Sequence, residues 1–367
     1  MEKIWRWLNL LLIIITLFSY LSPFVNPSSF WFLSILGTGY PWLLLFNLLF
    51  ILFWALLKKW YFLLSVGCIL TGWSHFQSFI GLNSPLPEEG KEVTVMSFNA
   101  MSYYKFNGKK IKAFNELLQD YKPDVICTQE AYSKTSPIDR NIYPYLYQPP
   151  SKKLIIYSKY PFISSGNIPM GNTSNGCTYV DVKAYNQRIR IYNLHLQSNG
   201  VTNDASKLRK EGDLQERETW MGLKTMIGKV KEAAIIRSEQ AKIILEHIID
   251  CSYPVIVCGD LNDTPLSYTY QLFSNRLQDG FKQRAAGIGT TYDGIIPVLR
   301  IDYIWADPLF SFKSYEIIKH NYSDHFPVMS RIQLNPPEKR PLTKVETING
   351  FLSSIKTLVL HSLRLFS

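Results

Sequence analysis

The chain has 367 residues, carries 39 Lys and Arg against 29 Asp and Glu for a net charge of +10, and is 47% apolar. That length allows one large domain or two small ones, and the basic excess suits anionic partners (phosphates, nucleic acid, acidic lipid headgroups) without choosing among them. Five cysteines, Cys68, Cys127, Cys177, Cys251 and Cys258, occur without a CxxC, which argues against a disulfide framework or a zinc site.

Charge is absent from most of the N-terminal region. No charged residue lies between Arg6 and Lys58, and none between Lys59 and Glu88, with His75 the single histidine in the second gap. About 20 apolar residues cross a bilayer. Residues 7–57 suffice for two crossings and 60–80 for a third, so 1–80 read as three transmembrane helices. A secretory signal peptide is the competing reading, but no small-residue cleavage site follows the first apolar run. Lys3, Arg6, Lys58 and Lys59 would sit on the cytoplasmic side. The expectation is a multi-pass protein of the cell (inner) membrane, with the chain after residue 80 on the non-cytoplasmic side.

Residues 81–91, GLNSPLPEEGK, read as a linker. Beyond it the texture changes to short β-like runs at 93–98, 124–128, 154–157, 178–183, 188–194, 254–258, 300–305 and 328–334, with a helical pattern at 110–120. Many strands with few helices predict an α+β domain over 92–335, packed sheets covered by helices. A charged insertion at 197–233 places Trp220, Leu223, Met226, Ile227 and Val230 at helical spacing, read as packing against the domain, and a second helix follows at 233–249. Residues 336–367 read as a C-terminal amphipathic helix that lies in a membrane interface or caps the domain.

Polar groups gather where these strands end, the usual place for functional side chains on a rigid scaffold. The motifs are Ser97-Phe98-Asn99, Thr128-Gln129-Glu130, Asn193-Leu194-His195, Gly259-Asp260-Leu261-Asn262-Asp263 and Ser323-Asp324-His325. Arg300-Ile301-Asp302-Tyr303-Ile304 sets an acid inside an apolar strand, where it needs a partner. Singly, each has a bland reading as a turn, a strand end or a packed histidine. Together they contain the parts that phosphoester hydrolysis needs: a hard-oxygen ligand for Mg²⁺ (or Mn²⁺), a second carboxylate to orient or deprotonate water, and histidine donors for the phosphate. Residue types alone leave open which acid does which.

The order SFN, QE, NxHL, GDLND, RIDYI, SDH resembles the endonuclease/exonuclease/phosphatase superfamily, over about residues 93–334. The resemblance implies a four-layer α/β/β/α sandwich, preceded here by a helical membrane region as in a membrane-anchored bacterial branch. It implies that Glu130 is the principal metal ligand, with Asn99 beside it and Asp324 completing the site. It implies that Asp260 positions or deprotonates the attacking water, that Asn262 bonds the phosphate, and that His195 donates to a phosphate oxygen. His325 would contact the phosphate, oriented by Asp302. Arg237 and Gln240 match a weaker helical motif and read as structural supports. The expected activity is a membrane-tethered, nuclease-like phosphodiesterase, and a phosphomonoesterase is not excluded by the motifs. The alternatives are a phospholipid headgroup phosphodiesterase of the sphingomyelinase type, or a non-catalytic module that binds anionic ligands; the intact acid and histidine set argues against the last.

Overall fold

The computed structural model describes residues 2–334 except 89, 102–107, 132–135, 151–152, 172–174, 202–203, 205–216, 295–297 and 321. The helix expected at 336–367 and much of the insertion before residue 217 lie outside the described residues.

Strands whose central members are buried along their whole length build two sheets face to face. The first is ordered β13(Phe310–Ile317), β14(Val328–Leu334), β2(Glu92–Asn99), β3(Val125–Gln129), β5(Leu154–Ser158), β4(Tyr145–Tyr147). The second runs β10(Gln278–Asp279), β12(Asp302–Ala306), β9(Val255–Asp260), β8(Gln187–His195), β7(Gly176–Ala184), β6(Phe162–Ile168). Because successive strand residues face opposite ways, Ile256 and Cys258 enter the core between the sheets with Val93, Val95 and Ile191. Val255 and Val257 face outward onto α8(Arg217–Ile249), through Ala241, Ile244 and Ile248. On the other side Met96 and Phe98 meet Phe114, Leu117 and Leu118 of α7(Gly108–Tyr121). The α/β/β/α layering is therefore as expected.

Two parallel pairs fix where the polar strand ends go. β2 and β3 run parallel, as do β8 and β9, so their carboxyl ends emerge together, with Asn99 beside Gln129 and His195 beside Asp260. β12 runs antiparallel to β9 and starts at the same end, with Asp302 opposite Asp260. Between the sheets, Gln129 donates to Asn193 Oδ1 (2.7 Å) and Asn193 Nδ2 donates to the Thr128 and Ile155 carbonyls (3.0 Å each).

The N-terminal helices are α1(Glu2–Ser19), α2(Pro27–Phe30), α3(Phe32–Thr38), α4(Tyr40–Leu56), α5(Phe62–Thr71) and α6(Trp73–Phe79). Their polarity is inverted relative to a water-soluble bundle. Asn9 donates to Ser65 (2.8 Å) and accepts from Trp54 Nε1 (3.0 Å), and Asn47 donates to Thr16 (2.9 Å), all inside. Leu8, Leu11, Ile14, Phe18, Leu45, Leu49 and Leu52 face outward. Among the described residues, Glu2–Phe24 alone is long and apolar enough to cross a bilayer as one helix, and Phe32–Thr38 with Tyr40–Leu56 would add a second across a 57° bend. The third expected span is not formed. Residues 60–80 divide into a ten-residue helix and a seven-residue one at Gly72, where polar Ser74, His75, Gln77 and Ser78 end the apolar run.

Nor does the expected linker hang free. Its start lies in β1(Ile80–Leu82), which pairs with β11(Ala286–Ile288), and Asn83 and Leu86 donate to the Ala285 and Lys313 carbonyls (3.0 and 2.7 Å). Leu266 is buried among Tyr40, Leu44, Ile69 and Phe79. Gly37 passes so close that a Cβ there would lie 2.0 Å from the Leu266 carbonyl. A fragment starting at residue 88 loses this cover. Exposing Leu266 forfeits about 1.5–3 kcal/mol, and β11 loses its partner. The expected result is a melting temperature lower than the full chain's by roughly 5 °C or more, with aggregation visible by light scattering. Equal melting temperatures would mean the helices merely tether.

Candidate active site

Asp260 ends β9 and is fully buried. The preceding Gly259 has φ +142°, and a Cβ there would sit 1.9 Å from the Leu194 carbonyl. Only glycine allows β8 and β9 to close at the point where His195 and Asp260 stand. Asp260 Oδ1 accepts from the Asn262 N–H (2.7 Å) and Oδ2 accepts from Asn99 Nδ2 (3.0 Å). Two imidazoles face the same Oδ2, His195 Nε2 at 3.6 Å and His325 Nε2 at 3.8 Å. Among the described residues, the ion-pair partners of this buried acid are histidines.

Asp302 holds His325. Its two oxygens lie 3.1 and 2.9 Å from His325 Nδ1. An ionised carboxylate only accepts, so Nδ1 carries the proton and Nε2 points at Asp260. Thr291, a residue the motifs did not reveal, accepts from the N–H groups of both Ile301 and Asp302 (3.0 and 3.1 Å), and Tyr292 sets its ring edge-on to the His325 ring, centroids 5.0 Å apart. Burial pushes the Asp302 carboxyl up to about 6, helped by Asp260 and opposed by His325. Burial would lower the His325 imidazolium, but the Asp302 and Asp260 carboxylates outweigh it and push it up to about 10.

Glu130 follows β3 in the left-handed region at φ +49°, strained for a residue of this type and size. This turn brings Glu130 Oε1 to 3.4 Å from Asn99 Nδ2 and 3.7 Å from His195 Nε2. Asn262, at φ +52°, donates Nδ2 to the Leu196 carbonyl (3.1 Å), so its amide is engaged within the protein. Asp324, next to His325, accepts from Ser323 Oγ (3.1 Å), and its carbonyl accepts from the Asp293 N–H (2.7 Å). Arg237 Nε donates to Asp263 (3.1 Å) and its Nη1 to the Gln197 carbonyl and Asn199 (3.0 and 2.8 Å), while Gln240 accepts from the Gln197 N–H (2.9 Å). Arg237 thus ties the loops after β8 and β9 to α8, and Gln240 the loop after β8.

One ligand atom each from Asp260, Asp302 and His325 lie within 4.8 Å of one another, close enough to hold a metal ion. From the other sheet the Asn99 amide nitrogen donates to the Asp260 carboxylate (3.0 Å), and Glu130 Oε1 lies 3.4 Å from that nitrogen. The donor chemistry therefore fits a hard cation. His195 Nε2 is buried without a hydrogen-bond partner among the described residues, as a group awaiting an acceptor would be.

Comparison with known proteins agrees with this reading of the fold. The sequence profile described as the Endonuclease/Exonuclease/phosphatase family matches residues 96–325, more than half of the chain, and one described as a Domain of unknown function (DUF8431) matches residues 2–79. No curated protein matches. Among solved structures, an endonuclease/exonuclease/phosphatase family protein from Bacteroides thetaiotaomicron is 18% identical, with a TM-score of 0.49 over 68% of this chain and 100% of that one. The human Nocturnin catalytic domain is 17% identical (TM-score 0.49, 66% of this chain, 95% of that one). A mannosyl-6-phosphatase of Bacteroides thetaiotaomicron is 18% identical (TM-score 0.47, 66% and 100%).

The Asp302–His325 pair makes two predictions. Asp302→Asn is expected to lower kcat by about 100-fold or more with an unchanged circular dichroism spectrum; an unchanged rate would remove the pair from the chemistry. Because Asp302 must be ionised to orient His325 and its carboxyl is raised, kcat/KM is expected to fall as pH drops through about 6, higher than the ordinary aspartate value of about 4.

Proposed function

We propose that this chain, which belongs to the endonuclease/exonuclease/phosphatase family, is a membrane-held, divalent-metal-dependent hydrolase of phosphoester bonds, diesters first. The observation that carries the reading is the buried Asp260 carboxylate facing two imidazoles, His195 at 3.6 Å and His325 at 3.8 Å, with the Asn99 amide at 3.0 Å. A carboxylate so placed holds a water and takes its proton as the oxygen attacks phosphorus. His325, kept protonated at both nitrogens by Asp302 and Asp260, donates Nε2–H to a phosphate oxygen. His195 Nε2, which has no hydrogen-bond partner among the described residues, donates to another. Asn262 holds Asp260 through its N–H, and its amide can turn to the phosphate only by leaving the Leu196 carbonyl.

Glu130, Asn99 and Asp324 are the residues proposed to hold Mg²⁺ or Mn²⁺, with Asp260 next to them. The ion would supply positive charge to the phosphate oxygens. The two carboxylates Asp260 and Asp302, opposite each other in register, also give the site a negative charge that a cation relieves. A module that only binds anions has no use for that charge.

Membrane residence is supported by the inverted polarity of the N-terminal helices. Lys59 pairs with Glu2 (3.3 Å) and Arg6 donates to Tyr61 (3.2 Å), so the basic residues share one end of the helices. Tyr20 bonds the Cys68 carbonyl (3.1 Å) at the other end, where Gly37 meets Leu266. By the positive-inside rule the sandwich then sits on the non-cytoplasmic side of the inner membrane, whichever number of crossings is made.

The full chain in detergent is expected to hydrolyse bis(4-nitrophenyl) phosphate with Mg²⁺ or Mn²⁺ and to stop on chelation with EDTA. Asp260→Ala and His325→Ala are each expected to lower kcat by about 10²–10⁴-fold. Hydrolysis that persists in EDTA, or in both variants, would defeat the proposal.

A further inference from the structure

Both buried acids are fastened, a few residues along the chain, to the N-terminal helices. Thr264, four residues after Asp260, donates Oγ1 to the Gly37 carbonyl (3.4 Å), and Leu266 is buried among residues of α4, α5 and α6. Arg300, two residues before Asp302, is fully buried and donates Nη1 to the Ser78 carbonyl (2.8 Å). At about 3.8 Å per residue, the Leu266 Cα is at most about 15 Å from that of Asn262. The end of the sandwich that bears the site is thus the end that the apolar helices cover.

α8 extends this surface. Its carboxyl half carries Arg237 and Gln240, which hold the loops flanking the site. Its amino half runs on beside the N-terminal helices, with Lys231 Nζ 5.6 Å over the Trp31 ring. There Met221 (51% exposed), Lys224, Ile227 (44%) and Lys231 lie on one face of the helix and are exposed to solvent, as are Phe30 and Phe32 next to Trp31. The reading of this stripe as domain packing therefore fails for Trp220 and Ile227, while Leu223, Met226 and Val230 are half-buried. A face that mixes apolar and lysine side chains, continuous with exposed aromatics on an inverted-polarity helical unit, matches the boundary of a bilayer with acidic headgroups.

We infer that the site acts on phosphoesters carried by lipids, with α8 and the α2–α3 aromatics seated on the bilayer surface so that the tail stays in the membrane while the phosphate reaches Asp260. This rests on the phosphoesterase reading and names its substrate class. The reaction is hydrolysis: a water oxygen bonds to phosphorus, the ester P–O bond to the leaving alcohol breaks, and that alcohol departs with a proton from the water.

The test compares two diesters with the same leaving group, hexadecyl 4-nitrophenyl phosphate and ethyl 4-nitrophenyl phosphate. The full chain is reconstituted in phosphatidylcholine vesicles containing phosphatidylglycerol, with Mg²⁺, and 4-nitrophenolate is measured. The hexadecyl ester is expected to have a kcat/KM higher by about tenfold or more, because the bilayer concentrates it at the site. The double variant Met221→Glu, Ile227→Glu is expected to reduce that preference severalfold and leave the ethyl ester rate unchanged. Equal rates on the two esters in the native chain, or a preference untouched in the double variant, would overturn the inference while leaving the hydrolase intact. If neither ester is cleaved, the phosphoesterase reading falls and takes this one with it.

Discussion

The structure turns on one electrostatic constraint: two carboxylates, Asp260 and Asp302, stand opposite each other on neighbouring strands, out of contact with solvent. Burial disfavours ionisation of Asp302, and the neighbouring Asp260 charge adds to the penalty. Asp302 is compensated by the His325 N–H. Asp260 is compensated by an amide, a backbone N–H and two imidazoles. The His325 imidazolium offsets one of the two charges, and the amide and backbone N–H do not cancel the second as a buried Arg or Lys would. The fold therefore keeps a local excess of negative charge at the mouth of the site, which is the electrostatic setting in which a hard cation and a phosphate stabilise each other.

Much of the surrounding sequence serves to keep those acids where they are. Gly259 removes the one side chain that would separate β8 from β9. Gln129 donates to Asn193 across the gap between the sheets and Asn193 donates to the Thr128 and Ile155 carbonyls, so these polar groups hold the layers in register. Arg300 is fully buried, pairs with Asp279 and stacks over Phe281 and Tyr303. The same guanidinium reaches the N-terminal helices through Ser78, so the strand that begins with Asp302 is anchored on both sides.

The N-terminal region obeys a different rule. Its asparagines, threonine and serine bond one another inside while leucines and phenylalanines face out, the arrangement expected where the surroundings are apolar and unpaired polar groups are expensive. It is nevertheless part of the same packed body as the sandwich, because β1 pairs with β11 and Leu266 fills a pocket among its helices. A swinging tether would have needed a solvated, unpaired connection. Here the connecting backbone is paired in β1 and bonded again through the Asn83 and Leu86 N–H groups.

The sequence by itself determined the layers and the identity of the polar set. Period-two apolar runs give strands whatever their neighbours, and the strand-end motifs at Asn99, Glu130, His195, Asp260, Asp302 and His325 are local features of the chain. It also marked the N-terminal region as one that avoids charge. It did not determine the number of continuous spans, because Gly72 and the polar run after it break a window that composition alone still counts as apolar. Nor did it reveal Thr291, Tyr292 or the Leu266 contact, which have no motif. The tertiary structure decided which atoms meet: His325 Nδ1 with Asp302, the Asn99 amide with Asp260, the Arg300 guanidinium with Ser78. The physical reason is that hydrogen bonds and ion pairs are set by distances of a few ångströms between residues up to 245 positions apart, and such distances are set by sheet register and packing, which no local stretch of sequence encodes.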